Sequence, residues 1–158
     1  IFGTNHSDVA NSYYKLGNSY NNNNQYEKAI EHHEKALKIR LDIFGINHPD
    51  VANSYYNLGI SYNDNHQYDK AVEHNIKALE ITLGIFGTNI ARAYHSLGYS
   101  YENNRQYNKA IEHYEKALKI RLDIFGTNHS IVAWSYDCLE NSYRNNKQYD
   151  KAIECKEK

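Results

Sequence analysis

The tripeptide Ile-Phe-Gly occurs at residues 1–3, 43–45, 85–87 and 124–126, and it divides the 158-residue chain into near-copies of one unit. The first two intervals are 42 residues and the third is 39. A deletion explains the short interval, because Asn47-His48-Pro49-Asp50-Val51 is reduced to Asn89-Ile90. Gln25-Tyr26, Gln67-Tyr68, Gln106-Tyr107 and Gln148-Tyr149 keep the same step. Self-similarity at this period means stacked units, each too small to hide its own apolar face. The expected organisation is therefore one array of four repeats, 1–42, 43–84, 85–123 and 124–158.

Each unit reads as two helices. The first spans about 8–21, with Tyr13, Leu16, Gly17 and Tyr20 at i, i+3, i+4, i+7 spacing. Asp8 and Asp50 suit a first turn, and Pro49 suits the first helical position. The second spans about 26–41, with Ala29, Ile30, His33, Ala36, Leu37 and Leu41 on its inner side. Asn23, Asn65, Asn104 and Asn146 hold one position in the polar turn between them, where Asn tolerates left-handed angles. Two columns of small residues mark close helix approach: Ser19, Ser61, Ser100, Ser142 and Ala29, Ala71, Ala110, Ala152. Twelve of the 16 tyrosines fall into three further columns, which begin at Tyr13, Tyr20 and Tyr26. Such columns could be a stacking platform for bases or sugars, but their spacing is that of a buried helix face, so core packing is expected.

Tyr13-x-x-Leu16-Gly17-x-x-Tyr20, followed by Ala29 and Ala36, resembles the tetratricopeptide repeat (TPR) signature. The 42-residue unit, with His48-Pro49-Asp50-Val51-Ala52 and Lys77-Ala78-Leu79, resembles the kinesin light chain subtype. The resemblance covers the whole chain and implies an all-α fold, a right-handed α-solenoid of tandem TPR helix–turn–helix repeats. It also implies a concave groove lined by the first helices, in which partner peptides lie. Carried over by position, the groove residues are Asn11, Tyr14, Asn18, Asn21 and Asn22 of the first repeat and Asn53, Tyr56, Ile60, Asn63 and Asp64 of the second. The third repeat gives Arg92, His95, Tyr99, Glu102 and Asn103, and the fourth Trp134, Asp137, Asn141, Arg144 and Asn145. Asn amides offer a donor and an acceptor to an extended backbone, and Trp134 with the exposed tyrosines would anchor it. Lys15, Arg92 and Arg144 are scattered among Asp64, Glu102 and Asp137, so neither a carboxylate clamp nor a preference for acidic peptides is expected. Departures from the signature are Glu140 in place of Gly, the mixed set His33, Asn75, Tyr114 and Lys156 at an inner position usually aromatic, and the missing late proline. Helix two is expected to run straight on to Ile-Phe-Gly.

Other functions find little support. Net charge is −1, from 18 basic and 19 acidic residues, without the basic excess that nucleic-acid binding requires. No apolar stretch approaches membrane-spanning length and no signal peptide opens the chain, so a cytoplasmic protein without membrane insertion is expected. Cys138 and Cys155 are too few for a disulfide scaffold and read as free thiols. His32, His74 and His113 recur once per repeat, on the order of 10 Å apart, and a metal–nitrogen bond is about 2 Å, so no shared ion, metal site or cofactor is expected. With no nucleotide, zinc or redox motif, the chain does not read as an enzyme.

Neither end shows the polar capping element that normally protects a solenoid's outermost layer, Met is absent, and Lys158 aligns with Lys35 inside a second helix. The simplest expectation is a fragment of a longer array. The alternative is a structural fibre of copies stacked end to end through Ile1, Phe2 and Ile153. Such a fibre could be extracellular and glycosylated at the Asn5 and Asn128 sequons. The leading expectation is a protein–protein interaction scaffold or adaptor that binds peptide or helical segments in the groove.

Overall fold

The computed structural model describes residues 7–84 and 90–158. Among these residues the chain forms helices α1 (Ser7–Asn22), α2 (Tyr26–Phe44), α3 (Pro49–Asp64), α4 (Tyr68–Gly84), α5 (Ile90–Asn103), α6 (Tyr107–Phe125), α7 (Ser130–Asn145) and α8 (Tyr149–Lys156), and no strand. They fall into two compact units, Ile1–Gly87 and Thr88–Lys158. The first holds the hairpins α1–α2 and α3–α4, the second α5–α6 and α7–α8.

Helix two does run on through Ile-Phe, and it stops at Gly45 and Gly126. Both glycines sit near φ +71° to +72° with ψ close to 180°, a region that residues with a Cβ avoid. The next helix is started by a histidine. His48 Nδ1 accepts the Asp50 N–H at 3.1 Å, Pro49 opens the helix, and the imidazole stacks on Phe44 at 4.1 Å. His129 does the same for α7, accepting from the Ile131 N–H at 3.2 Å and packing on Phe125. The same nitrogen must stay unprotonated to accept, so the cap needs the neutral ring.

The turn inside each hairpin differs from expectation. Asn65 and Asn146 keep φ near −87° and −86°, and the left-handed residues are the next ones: Asn24, His66, Arg105 and Lys147. The reason lies in the backbone ladder. The Asn65 N–H still reaches Ser61 O, whereas His66 N–H turns back to Asn63 O and Gln67 N–H to Tyr62 O. That is a Schellman closure, and its left-handed site falls one residue after the expected column.

The small columns lie where helices meet: Ala29, Ala71 and Ala110 have no exposed surface, nor do Ser61, Ser100 and Ser142, whereas Ser19 is exposed. Of the tyrosine columns only two are packing elements. Tyr55, Tyr62, Tyr101 and Tyr143 are buried, while Tyr149 of the third column is 59% exposed and Tyr26 turns its hydroxyl to Asn24. His32 lies between Tyr13 and Tyr20, His74 between Tyr55 and Tyr62, and His113 between Tyr94 and Tyr101, with ring centroids 4.9–6.1 Å apart. Each of these imidazoles donates Nδ1–H to the carbonyl four residues back, at 2.8 Å. Lysines close the same rings from outside, among them Lys35 over Tyr13 and Lys77 over Tyr55. A tyrosine–histidine–tyrosine bracket thus ties helix one to helix two within three of the hairpins.

Between hairpins of the first unit, Ile30 packs with Leu58, Tyr62 and Ala71, and Leu37 bridges to the cluster of Val51, Ala52, Tyr55, Ala78 and Ile81. Burying a side chain such as Leu58 contributes about 1.5–3 kcal/mol. The contact is keyed by a polar pair, with Tyr62 Oη donating to Glu34 Oε1 at 2.9 Å. In the second unit Ile111 and Leu139 are buried likewise, and Tyr143 Oη donates to Glu115.

Candidate functional site

In the first unit the helix-one face is formed by α1 and α3. Asn11 is exposed, its Oδ1 accepting from Arg40 Nη2 at 3.0 Å. Tyr14 is half-buried under the Arg40 guanidinium, 4.6 Å from the ring centre, and its hydroxyl accepts from Asn57 Nδ2 at 3.2 Å. Asn57 also donates to the Asn53 carbonyl, and Asn21 Nδ2 donates to Asp64 Oδ2 at 2.8 Å. Asn18, Asn53 and Tyr56 are half-buried, and Tyr56 leans on the Val51 cluster. Asn63 does not belong on this face: it is 4% exposed, too enclosed to meet a ligand. It stands one residue before Asp64, at the point where α3 turns inward to its Schellman closure, and its carbonyl receives the His66 N–H.

The second unit replaces amides with rings and charge. Trp134 is 47% exposed, with His95 4.0 Å away and the Arg121 guanidinium 5.2 Å from its ring. His95 also contacts Tyr114 at 5.0 Å. Tyr99, Arg92, Asp137, Asn141 and Arg144 are exposed, and Arg144 pairs with Glu140 four residues earlier. Glu102 is held inward, accepting from Tyr114 Oη at 2.9 Å and Ser142 Oγ at 3.0 Å. Ile153 and Asn128 are exposed, whereas Ile1, Phe2 and Asn5 lie outside the described residues.

Sequence reasoning missed the two arginines beneath these faces. Arg40 is buried and also donates Nη1 to Ser54 Oγ at 2.9 Å and to Asp50 O at 3.1 Å. Arg121 is buried and donates Nη1 to Ser135 Oγ at 2.6 Å. The signal was present: arginine stands between apolar Ile39 and Leu41 on an inner helix side, and Ser54 and Ser135 recur with it. Where α4 carries Thr82 at the corresponding position, the hydroxyl bonds its own helix at Ala78 O.

Burial sets the protonation of this region. His33, 1% exposed against Gly17, is lowered to about 4 by desolvation and then by Arg40 and His32. His95 is lowered to about 3 by desolvation and then by Arg121. The Nδ1 of each is enclosed without a hydrogen-bond partner. Because both folded values lie below the ordinary 6.5, the unfolded chain takes up protons first, and stability present above pH 6.5 is lost as pH falls towards 4. His33→Asn, the residue found at the equivalent Asn75, is expected to flatten part of that acid limb, by up to about 3 kcal/mol at pH 4. Urea unfolding from pH 7 to 4 reads it, and an unchanged slope would remove His33 from the account. Cys138 is pushed up to about 11, chiefly by burial, which keeps it a thiol.

Stacked α-hairpins with a solvent-facing helix-one surface of amides, rings and charges define a helical-repeat protein. The TPR family model, described as tetratricopeptide repeat, matches residues 8–83 and 89–158, and the chain belongs to that family. Among solved structures it is similar to the nearly identical TPR-like repeats assigned to a kinesin light chain of Podosopora anserina, at 24% identity and a TM-score of 0.86, covering 99% of this chain and 76% of that one. It is also similar to BtubC (BKLC) from P. vanneervenii, at 24% identity and a TM-score of 0.86, covering 95% and 61%. A third is a Rap protein solved in complex with competence and sporulation factor, at 20% identity and a TM-score of 0.80, covering 98% and 42%. These likenesses show the α-solenoid fold of TPR proteins. Comparison with curated proteins gives no match. Among the described residues no helix is long and apolar enough to cross a membrane.

Proposed function

We propose that the chain is a protein–protein interaction scaffold that receives a peptide segment or partner helix on its helix-one faces. The observation that carries this reading is Trp134, a half-exposed indole packed against His95 and the Arg121 guanidinium. A large ring fixed before binding loses little freedom on contact, which is what makes tryptophan an effective anchor. The ties Arg40–Asn11, Asn57–Tyr14 and Asn21–Asp64 stiffen the first unit's face in the same way. The complex of a Rap protein with competence and sporulation factor lends the reading a precedent within the fold. Alternating Arg92, Asp137 and Arg144 favour a partner of mixed polarity over a strongly acidic one.

The titratable groups fit a binding module better than a catalyst. Glu102 is engaged by two hydroxyls, and Cys138 is held as an inert thiol. Trp134→Ala combined with Tyr56→Ala is expected to weaken capture of the native partner about 30-fold or more while leaving helix content unchanged. Pull-down followed by titration measures it. Undiminished capture would move the binding face elsewhere.

A further inference from the structure

A cleft of about 320 Å³ in the first unit is bounded by α2, α3 and α4, and none of its lining residues belongs to the helix-one face. Its floor is apolar. Leu58 is fully buried and Tyr55 nearly so, while Leu37 and Leu41 pack on the core clusters and keep part of their surface outward. The volume falls at the small end of ligand-sized cavities, which run from about 300 to 1,000 Å³.

The α2 side of the rim carries Glu34, Lys38 and Asp42, about one residue per turn. Lys35 and Lys77 each pair with the glutamate four residues earlier, at 2.6 and 2.7 Å. Lys38 has Glu34 at that same spacing, but Glu34 Oε1 is turned to Tyr62 Oη at 2.9 Å. Lys38 and Asp42 are exposed, and no other side chain among the described residues holds either of them. On the α4 side Lys77 is committed to Glu73 and lies over the Tyr55 ring, 5.7 Å from its centre. His74 is uncharged near neutral pH because burial lowers its pKa. The mouth thus offers one free ammonium and one free carboxylate above an apolar floor.

We propose that this cleft receives an extended segment of a partner protein in which a leucine-sized apolar residue stands between an acidic and a basic one. A helix, about 10–12 Å across, is too wide for the cleft, whereas an extended chain can lower one side chain into it. Lys38 and Asp42 stand about 6 Å apart along α2, at 1.5 Å per residue. The two residues flanking the apolar one are about 6.6 Å apart in an extended chain, so an acid reaches Lys38 while a base reaches Asp42. The balanced pair of free charges disfavours a strongly acidic or strongly basic occupant. The site is separate from the helix-one faces and does not depend on what they hold.

The probes are acetyl-Glu-Leu-Lys-amide and acetyl-Lys-Leu-Glu-amide, titrated into the isotope-labelled chain. Amide chemical shifts are expected to move at Leu37, Leu41, Tyr55 and His74, with a dissociation constant on the order of millimolar. The better peptide should bind about 3-fold or more tighter than acetyl-Lys-Leu-Lys-amide and acetyl-Glu-Leu-Glu-amide, the difference that exposed ion pairs supply. Replacing its leucine with alanine should cost about 10-fold or more. Lys38→Glu with Asp42→Lys leaves the floor and the net charge unchanged, and should exchange the two peptide orders in affinity. Trp134→Ala should leave the titration as it was, so the result is separable from the helix-one reading. No movement at those four residues up to tens of millimolar overturns the proposal, as does equal binding of all four leucine peptides. Shifts there with protein concentration alone would make a second copy the occupant and overturn it as well.

Discussion

Gly98→Leu is expected to destabilise the second unit by about 3 kcal/mol, the upper range for overfilling a close-packed site. A Cβ at Gly98 would lie 2.8 Å from Tyr114 Cδ1 and 2.9 Å from Cε1, atoms of a rigid ring that is 2% exposed. The ring cannot swing aside without giving up its hydrogen bond to Glu102, which also receives Ser142 from the following hairpin. Thermal unfolding should show the loss as roughly 6–12 °C. Tyr114→Ala in the same chain should recover part of it, since the leucine then fills space the ring vacates. The two changes would be strongly non-additive, as expected for residues in contact. Simple additivity would mean that Gly98 and Tyr114 do not share one space. The fourth hairpin carries both substitutions at once, with Glu140 for glycine and exposed Lys156 in the place of the ring.

Arg40→Met is expected to cost about 3 kcal/mol, at the low end for breaking a buried charged network. The loss is not that of an ion pair, because the partners in the first unit are neutral: Asp50 O, Ser54 Oγ, Asn11 Oδ1 and the face of Tyr14. Methionine fills the volume of the stem but leaves buried Ser54 Oγ facing an apolar chain, and an unmet buried acceptor costs about 1–3 kcal/mol, whereas Asn11 is exposed and Asp50 O keeps the Ser54 hydroxyl. Ser54→Ala added to Arg40→Met should return about 1 kcal/mol by removing one such group. Urea unfolding of the two single variants and the double variant measures the coupling. A change below about 0.5 kcal/mol for Arg40→Met would show that the guanidinium is held in place without holding anything.

The helices and their pairing were legible because two signals coincide in this sequence, a repeat and a helical period within it. Leu58, Ala71 and Tyr62 could be placed in the core from spacing alone. The turn was misplaced by one residue because Asn65 looks like a left-handed residue by type, whereas the site is chosen by which N–H last finds a helical carbonyl. Asn63 was assigned to the open face by register, yet depth depends on how the helix end tucks beneath its turn, which periodicity does not encode. Arg40 and Arg121 escaped notice because charge suggests solvent, and only their serine and aromatic partners, distant in sequence, explain their burial.

The tyrosine–histidine–tyrosine brackets hold three of the hairpins from within, using side chains other than those on the helix-one faces. A hairpin therefore carries its own internal fastening, and its outward residues are free to vary without loosening it. This makes the unit interchangeable: Tyr14, Tyr56, His95 and Asp137 write three different answers on one backbone position. New recognition can arise by shuffling or duplicating whole hairpins, with the grammar of the fold left intact.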